Sequence, residues 1–304
     1  MASVLPPFLP ATNAIGAHAR VSMSRSFFGK PSMPTLEQNR QLWSESFDWS
    51  HQGDRWSAKW GGVDMQWHGT LLPRIHAFLP TGAILEIAAG YGRWSQYLKD
   101  LCDHLILIDM QEHCIDACRQ RFADETHIEF YVNDGRSLDM VADNSVDFVF
   151  SFDSLVHADS SVIEAYLEQL ASKLTPDGVG FFHHSNLGAY PHYFSLTTRL
   201  PMPIRDRIYR YGLADKDHWR DPGMTAEKFC QIAARYGLQC IGQELVNWSA
   251  RRQIDCFTTF CKEGSIWSRP NVVVRNPQFM DEVQRWGELA QLYSDTSWAR
   301  MAKT

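Results

Sequence analysis

The segment that most constrains the fold of this chain is residues 84–95, with the sequence ILEIAAGYGRWS. An apolar run that enters a glycine turn and continues as a helical pattern is typical of a strand–turn–helix unit. Glycine lets the backbone approach a ligand closely at the carboxyl end of the strand, and the helix start offers free N–H groups. The segment therefore predicts a ligand-binding strand end of the kind found in doubly wound α/β sheets.

Strand and helix signals alternate after this segment. The predicted strands cover residues 83–88, 105–108, 128–132, 146–152, 178–183, 239–246 and 254–262. The predicted helices cover residues 93–101, 112–122, 161–174 and 225–236. Such alternation gives a parallel sheet with helices on both faces. We therefore expect an α/β Rossmann-like fold with a seven-stranded, mostly parallel sheet whose last two strands form a C-terminal β-hairpin.

The rest of the chain falls into segments of different composition. Residues 1–35 contain five prolines and no acidic residue, which predicts a flexible N-terminal arm. Residues 36–82 contain five tryptophans and are predicted to form a helical, aromatic cover. Residues 187–222, with four prolines and many aromatic and basic residues, are predicted to be an acceptor-binding insertion after strand 5. Residues 83–263 form the predicted ligand-binding domain, and residues 264–304 a helical tail.

Composition excludes several classes of partner. The net charge is −6 and the basic residues are dispersed, which argues against nucleic acid as a partner. No run approaches the ~18 apolar residues of a membrane span, so the sequence favours a soluble protein without a membrane partner. The seven cysteines form no CxxC pair, which fits a reducing compartment and predicts a cytoplasmic location. A monomer and a homo-oligomer both stay open.

Two further strand ends carry side chains that suit a nucleoside. Asp109 lies nineteen residues beyond Gly90, at the end of the second predicted strand. A carboxylate at this place accepts hydrogen bonds from the two hydroxyls of a ribose. The third strand ends in Asn133-Asp134-Gly135, which suits an adenine edge. Three successive strand ends therefore predict one nucleoside site.

These residues resemble the class I S-adenosylmethionine-dependent methyltransferases, whose first motif is commonly written ExGxGxG. Residues 86–92, EIAAGYG, match it with Ala88 in place of the first glycine. The resemblance covers residues 83–262 and implies S-adenosyl-L-methionine as cofactor. The predicted cofactor-binding residues are Glu86, Ala88, Gly90, Tyr91, Gly92, Trp94, Asp109, Met110, Asp134, Gly135 and Asp153.

Shorter motifs narrow the resemblance. Residues 60–62, 66–68, 152–157 and 183–186 are similar to a bacterial group that methylates sugar hydroxyls in polysaccharide or glycoside pathways. This resemblance implies O-methylation of a sugar-containing or other small-molecule acceptor. An N-directed or lipid-directed methyltransferase stays open, and so does a nicotinamide-dependent oxidoreductase. The oxidoreductase is less favoured because Ser95 takes the third glycine position of its fingerprint.

Methyl transfer from a sulfonium is a direct displacement, so the acceptor atom must be aligned behind the methyl group. A hydroxyl acceptor must also lose its proton, which requires a base within hydrogen-bond reach. His157, just past the fourth strand, is the predicted base. Asp153 is predicted to orient that imidazole or to contact the ammonium group of the cofactor. The alternative is that His157 caps or packs beneath a helix.

Acceptor contacts are expected from the cover and the insertion. The candidates are Trp60, His68, His184, Tyr190, Tyr193, His218 and Trp219, and packing is an equally good explanation for each of them. At most one histidine of the pair His183 and His184 is expected to face the site, because neighbouring side chains of a strand point to opposite faces. Asp134, Asp153 and one imidazole leave Mg²⁺ open as an additional cofactor.

Overall fold

The computed structural model describes residues 35–44 and 47–293. The predicted flexible arm, residues 1–35, lies outside the described residues except for Thr35. The strands are β1 Thr81–Ile87, β2 Cys102–Asp109, β3 Ile128–Val132, β4 Val146–Ser151, β5 Leu174–Ser185, β6 Leu238–Val246, β7 Asp255–Lys262 and β8 Val272–Asn276. The helices are α1 Leu36–Leu42, α2 Val63–Gln66, α3 Leu72–Ile75, α4 Ser95–Leu98, α5 Glu112–Arg121, α6 Ser160–Lys173, α7 Pro191–Arg199, α8 Met202–Arg210, α9 Ala226–Arg235 and α10 Phe279–Tyr293.

All eight strands belong to one sheet with the order β3-β2-β1-β4-β5-β7-β6-β8. Strands β1 to β5 pair in parallel, and β7 is antiparallel to both β5 and β6. This arrangement confirms the predicted α/β fold with a mostly parallel sheet. Because the carboxyl ends of parallel strands share an edge, the loops after β1, β2, β3, β4 and β5 meet at one rim.

The prediction of seven strands is wrong, because β8 extends the sheet in parallel alongside β6. The strand lies in the segment that was predicted to be a helical tail, although α10 follows it as expected. Its short run of three valines is flanked by Pro270 and Pro277, and such flanks indicate a loop. The segment forms a strand because it pairs with the free edge of β6. A pairing partner that is distant in the sequence leaves no signal in the local residues.

The two faces of the sheet carry separate apolar layers. One layer joins Trp60, Trp67 and Leu71 of the cover to Phe148 of β4. The other joins β1, β2 and β4 to α6 and to Phe229 of α9. Strand β4 is buried along its whole length except at Asp147, which fits a central strand covered on both faces. No helix within residues 35–44 and 47–293 is long and apolar enough to cross a membrane.

Candidate active site

The glycine turn after β1 and the end of β2 are joined by hydrogen bonds. The Gly90 N–H donates to Asp109 Oδ2 over 2.9 Å, and the Gln111 N–H donates to Asp109 Oδ1 over the same distance. The strands run in parallel with Ile87 opposite Ile108, so both turns lie at the carboxyl rim. The predicted meeting of the glycine turn and Asp109 at one rim is confirmed.

Backbone conformation explains the composition of this turn. Ala88, Gly90 and Gly92 all have positive φ values, of 61°, 57° and 79°. A Cβ atom at Gly92 would also lie 2.7 Å from the Phe122 ring, so that position has no room for a side chain. A left-handed alanine is strained, and such strain is concentrated at functional sites. The turn is therefore held in a left-handed shape that the glycines at positions 90 and 92 allow.

Glu86 lies beneath the turn with its side chain buried in β1. Ser95, the first residue of α4, donates its hydroxyl to Glu86 Oε2 over 2.5 Å. Burial raises the pKa of Glu86 to about 8, because it disfavours the charged carboxylate. Ser95 at this position therefore anchors the helix start to the strand through a hydrogen bond, where a dinucleotide fold would use a glycine for close packing.

Removing the ionisable group of Glu86 is expected to change how stability depends on pH. A group whose pKa is higher in the folded state than in the unfolded state stabilises the fold at low pH. This stabilisation is lost as the pH rises through the folded pKa. The wild type should lose about 2 kcal/mol of unfolding free energy from this group between about pH 6 and pH 8, and Glu86→Gln should not. Urea denaturation at both pH values measures the difference. An exposed control, Glu129→Gln, should keep the wild-type dependence, and parallel curves for Glu86→Gln would contradict the buried, protonated state.

The end of β3 forms a second polar turn at the rim. Asp134 accepts hydrogen bonds from the N–H groups of Arg136 and Ser137, and these backbone donors lower its pKa. Gly135 has a φ of 86°, and a Cβ atom there would lie 2.8 Å from the Leu36 side chain and 3.4 Å from Met110 Sδ. The turn therefore offers an ionised carboxylate, and α1 covers it.

The aromatic cover closes over the rim at several points. The Trp49 ring stacks on Tyr91 with ring centroids 4.6 Å apart. Asn39 of α1 donates its side-chain amide to the carbonyl of His157 over 2.7 Å. The Gln111 side chain donates to the carbonyl of Arg40. Helix α1 therefore contacts the segments that follow β2, β3 and β4.

Asp153, at the end of β4, pairs with a residue that the sequence did not single out. Its Oδ2 atom accepts a hydrogen bond from Arg93 Nη2 over 2.9 Å, and its φ is 61°. The hydrogen bond of the His157 ring runs instead from Nδ1 to the carbonyl of Trp219, at 3.4 Å. The predicted pairing of Asp153 with the imidazole is thus replaced by an ion pair with Arg93.

His157 ends a short 3-10 turn, Leu155–His157, and is half-buried beside the Trp43 ring, whose centroid lies 5.8 Å away. Burial, followed by the nearby charge of Arg220, lowers its pKa to about 4. The imidazole is therefore neutral at physiological pH and has an unprotonated nitrogen available.

A buried ion pair lies behind the rim. Arg220 donates two hydrogen bonds to Asp255, Nε to Oδ1 over 2.8 Å and Nη2 to Oδ2 over 2.7 Å. Burial alone would raise the pKa of Asp255, but the charge and hydrogen bonds of Arg220 outweigh it and lower that pKa. His183 Nδ1 accepts the Asp153 N–H, so the ring proton is on Nε2, 3.2 Å from Asp255 Oδ2. This series of contacts, from Arg220 through Asp255 to His183, supports the backbone of Asp153.

His183 and His184 point to opposite faces, as expected for neighbours in a strand. His184, which was the predicted acceptor contact, is fully buried with Nε2 2.7 Å from Thr258 Oγ1, and it stacks on Phe229. His183 instead contacts the Phe152 ring and the rim. His183 is also fully buried, with both ring nitrogens engaged, so it supports the rim through Asp153.

Several other predicted acceptor contacts are engaged in packing. Trp60 is buried and donates its indole N–H to Thr70 Oγ1 over 2.8 Å. The Tyr193 hydroxyl accepts the Asp215 N–H, and Arg252 lies 3.3 Å above the Tyr193 ring. Tyr190 packs in a small apolar cluster, and His68 is exposed beside Tyr97. These contacts account for Trp60, Tyr190 and Tyr193 without an acceptor, whereas His68 is exposed.

Trp219 lies beside the His157 ring, with ring centroids 6.5 Å apart, and the preceding residue, His218, has Nε2 3.3 Å from the Ser249 carbonyl. His218 and Trp219 both have positive φ values, of 49° and 58°. The Trp219 carbonyl faces the imidazole, and burial lowers the pKa of His218 to about 4. Among the acceptor candidates that the sequence named, Trp219 therefore contacts the predicted base.

Two buried donors at the rim have no hydrogen-bond partner among the described residues. They are Arg93 Nη1 and Trp94 Nε1, which follow the glycine turn directly. The Arg93 guanidinium lies 4.5 Å from the Trp94 ring centroid. Leaving such groups unpaired costs about 1–3 kcal/mol each, so a polar ligand is expected to satisfy them. These donors, together with the carboxylates of Asp109 and Asp153, fit a ligand that carries hydroxyl, carboxylate and ammonium groups.

No group of three or more metal-ligating side chains occurs within the part of the chain that the structure describes. In particular, the carboxylates considered for Mg²⁺ have other partners: Asp134 holds its own turn and Asp153 holds Arg93.

Comparison with known proteins agrees with this geometry. Residues 84–178 match a family model described as a methyltransferase domain. Over 117 residues, 37% of this chain and 23% of the relative, the sequence is 29% identical to a phosphoethanolamine N-methyltransferase of Triticum aestivum. The chain spans less than a quarter of the length of the curated relatives it matches, at 23% and 24%.

Solved structures of similar topology have low sequence identity. A protein from Pyrococcus horikoshii is 18% identical, with 71% of this chain and 94% of that chain covered and a TM-score of 0.48. The N-methyltransferase NodS from Bradyrhizobium japonicum is 16% identical, with 66% and 97% covered and a TM-score of 0.47.

The strand order, the glycine turn joined to Asp109 and the matched family model define the class. Residues 84–178 are thus similar to a methyltransferase domain, and the strand order agrees with the class I fold that the sequence resembles. The cofactor of this class is S-adenosylmethionine.

Proposed function

We propose that this protein transfers the methyl group of S-adenosylmethionine to a hydroxyl of a sugar-containing or other small-molecule acceptor. The observation that carries the proposal is the hydrogen bond between Gly90 and Asp109 at the carboxyl rim. It holds a buried carboxylate beside a partly buried glycine turn, as binding of a ribose next to an amino-acid group requires.

Different residues of the rim would bind different groups of the cofactor. Asp109 would accept the ribose hydroxyls, and the turn after β3, with Asp134 and Gly135, would lie along the adenine. The free Arg93 Nη1 would bind the carboxylate of the methionine group, and Asp153 its ammonium. When bound, the cofactor supplies an electrophilic methyl group on a sulfonium.

His157 would take the proton of the acceptor. Its neutral ring lies at the end of β4 on the rim that carries the cofactor-binding residues. A low pKa makes it a weak base, so its contribution is positional as much as chemical: it must hold the hydroxyl in line with the methyl group. Trp43 and Trp219, whose ring centroids lie 5.8 Å and 6.5 Å from that of His157, would exclude water.

Replacing Asp109 tests the cofactor site. Asp109→Ala is expected to weaken S-adenosylmethionine binding by about tenfold or more, because charge-assisted hydrogen bonds are lost. Titration calorimetry measures the affinity directly. The matched control is Asp147→Ala at the amino end of the same sheet, where Asp147 accepts the Ala83 N–H over 2.8 Å. Unaltered affinity in Asp109→Ala, or an equal loss in Asp147→Ala, would refute the assigned site.

An amine acceptor is the second candidate. The relative from Triticum aestivum is named as a phosphoethanolamine N-methyltransferase. A carboxylate such as Asp153, placed after β4 near His157, would also suit an amine. A screen with a labelled methyl donor against glycosides, phenols and phosphoethanolamine distinguishes a hydroxyl acceptor from an amine acceptor. Label found on nitrogen alone would contradict the proposed hydroxyl acceptor.

A cytoplasmic site of action is part of the proposal. All seven cysteines are free thiols, and Cys114, Cys118, Cys240, Cys256 and Cys261 are buried. Free thiols suit a reducing compartment.

A further inference from the structure

Helix α8, Met202–Arg210, is a helix whose residues are all at least partly accessible to solvent. A helix on the surface of a globular protein normally covers the core with an apolar stripe. Here Met202 and Ile204 are exposed, while only Arg205, Ile208 and Tyr209 are partly covered. The helix therefore presents apolar side chains to solvent.

The neighbouring parts of the insertion continue this surface. Six apolar side chains within eighteen residues of sequence are 37–67% exposed, and we name them the insertion surface: Leu196, Leu200, Met202, Ile204, Tyr211 and Leu213. Single exposed apolar residues are normal, but a concentrated set marks an interaction site.

The same segment carries uncompensated positive charge. Arg199, Arg205, Arg207 and Arg210 form no ion pair with any described residue, and the one acidic side chain between them is Asp206. The chain as a whole has a net charge of −6. The insertion surface is therefore a basic, apolar region on an acidic protein.

We infer that the insertion surface docks on a bilayer rich in anionic lipids. Exposed apolar side chains interleaved with arginines are typical of segments that lie in a membrane interface, where the apolar groups enter the headgroup region and the arginines meet the lipid phosphates. A second copy of this chain would bring the four arginines against four others. A nucleic acid would neutralise the arginines but leave the apolar side chains exposed.

This inference is independent of the proposed methyl transfer. It also differs from the sequence-based expectation of no membrane partner. That expectation came from the lack of a spanning segment, which does not bear on binding to the surface of a bilayer.

Co-sedimentation with lipid vesicles tests the inference on the full-length protein. Phosphatidylcholine vesicles that contain phosphatidylserine are expected to retain the protein, and pure phosphatidylcholine vesicles are not. Raised salt should weaken the binding, because exposed charges are screened.

Two double variants separate charge from apolar contact. Arg207→Gln with Arg210→Gln should reduce vesicle binding by about tenfold or more. Its control, Arg235→Gln with Arg285→Gln, removes the same charge from exposed helix positions elsewhere and should leave binding unchanged. Leu196→Ser with Ile204→Ser should also weaken binding, whereas Val272→Ser with Val274→Ser, on exposed β8, should not.

The inference is overturned if no vesicle retains the protein, or if the insertion and control variants lose binding equally. It is also overturned if sedimentation equilibrium shows self-association that the insertion variants abolish. The surface would then be an interface between copies of this chain. Retention by an acidic protein partner in place of vesicles would overturn it in the same way.

Discussion

Asp255→Ala is expected to lower the free energy of unfolding by about 3–5 kcal/mol. Asp255 is fully buried and accepts two hydrogen bonds from Arg220, while His183 directs its ring proton to the same carboxylate. Removing the carboxylate leaves a buried guanidinium without a counter-charge. The loss exceeds what the pair itself contributes, because the desolvation of Arg220 is no longer compensated.

Urea denaturation at neutral pH measures this loss. The control is Glu164→Ala, which breaks the exposed pair with Arg235, whose side chain is 56% exposed; it should cost less than about 1 kcal/mol. Asp255→Asn separates charge from shape, since it keeps the size of the side chain and should still cost most of the stability. A loss in Asp255→Ala no greater than that in Glu164→Ala would show that Arg220 is solvated and that the buried pair does not stabilise the fold.

Local sequence patterns were enough to predict most strands of the sheet. Strand β3 begins and ends at the predicted residues, 128 and 132, and six other strands are found within a few residues of the expected bounds. Strand β5 is longer than predicted because Leu174 pairs with Val146, despite Pro176 and Gly178 between the two halves of the strand. Strand β8 was missed for the same reason: its pairing with β6 decides its structure, and that pairing is not local.

Local sequence patterns likewise predicted one part of the candidate site and missed another. Gly90 and Asp109 were predicted together because each marks the end of a strand, and parallel strands end at a common rim. The pairs Arg93–Asp153 and Arg220–Asp255 join residues that are 60 and 35 positions apart, and only the folded chain brings them together. No spacing in the sequence could indicate them.

His157 is held at the site by hydrogen bonds to both its backbone and its ring. Its backbone is fixed by Asn39 and its ring by Trp219, so the imidazole is held in place before any acceptor binds. With a pKa lowered to about 4, the ring stays neutral down to mildly acidic pH. The turnover number should therefore show no titration near the ordinary histidine pKa, which distinguishes this ring from a solvated one.

His157→Ala is expected to reduce the turnover number by roughly 10² or more, while the affinity for S-adenosylmethionine stays close to that of the wild type. Initial rates with a labelled methyl donor and calorimetry with the cofactor measure the two quantities separately. His104→Ala is the matched control, since this exposed histidine near the start of β2 pairs with Glu129 far from the rim. Normal turnover in His157→Ala would move the base elsewhere. A large loss of cofactor affinity would instead make the ring part of the cofactor site, because a residue that acts only on the acceptor proton has no effect on binding of the methyl donor.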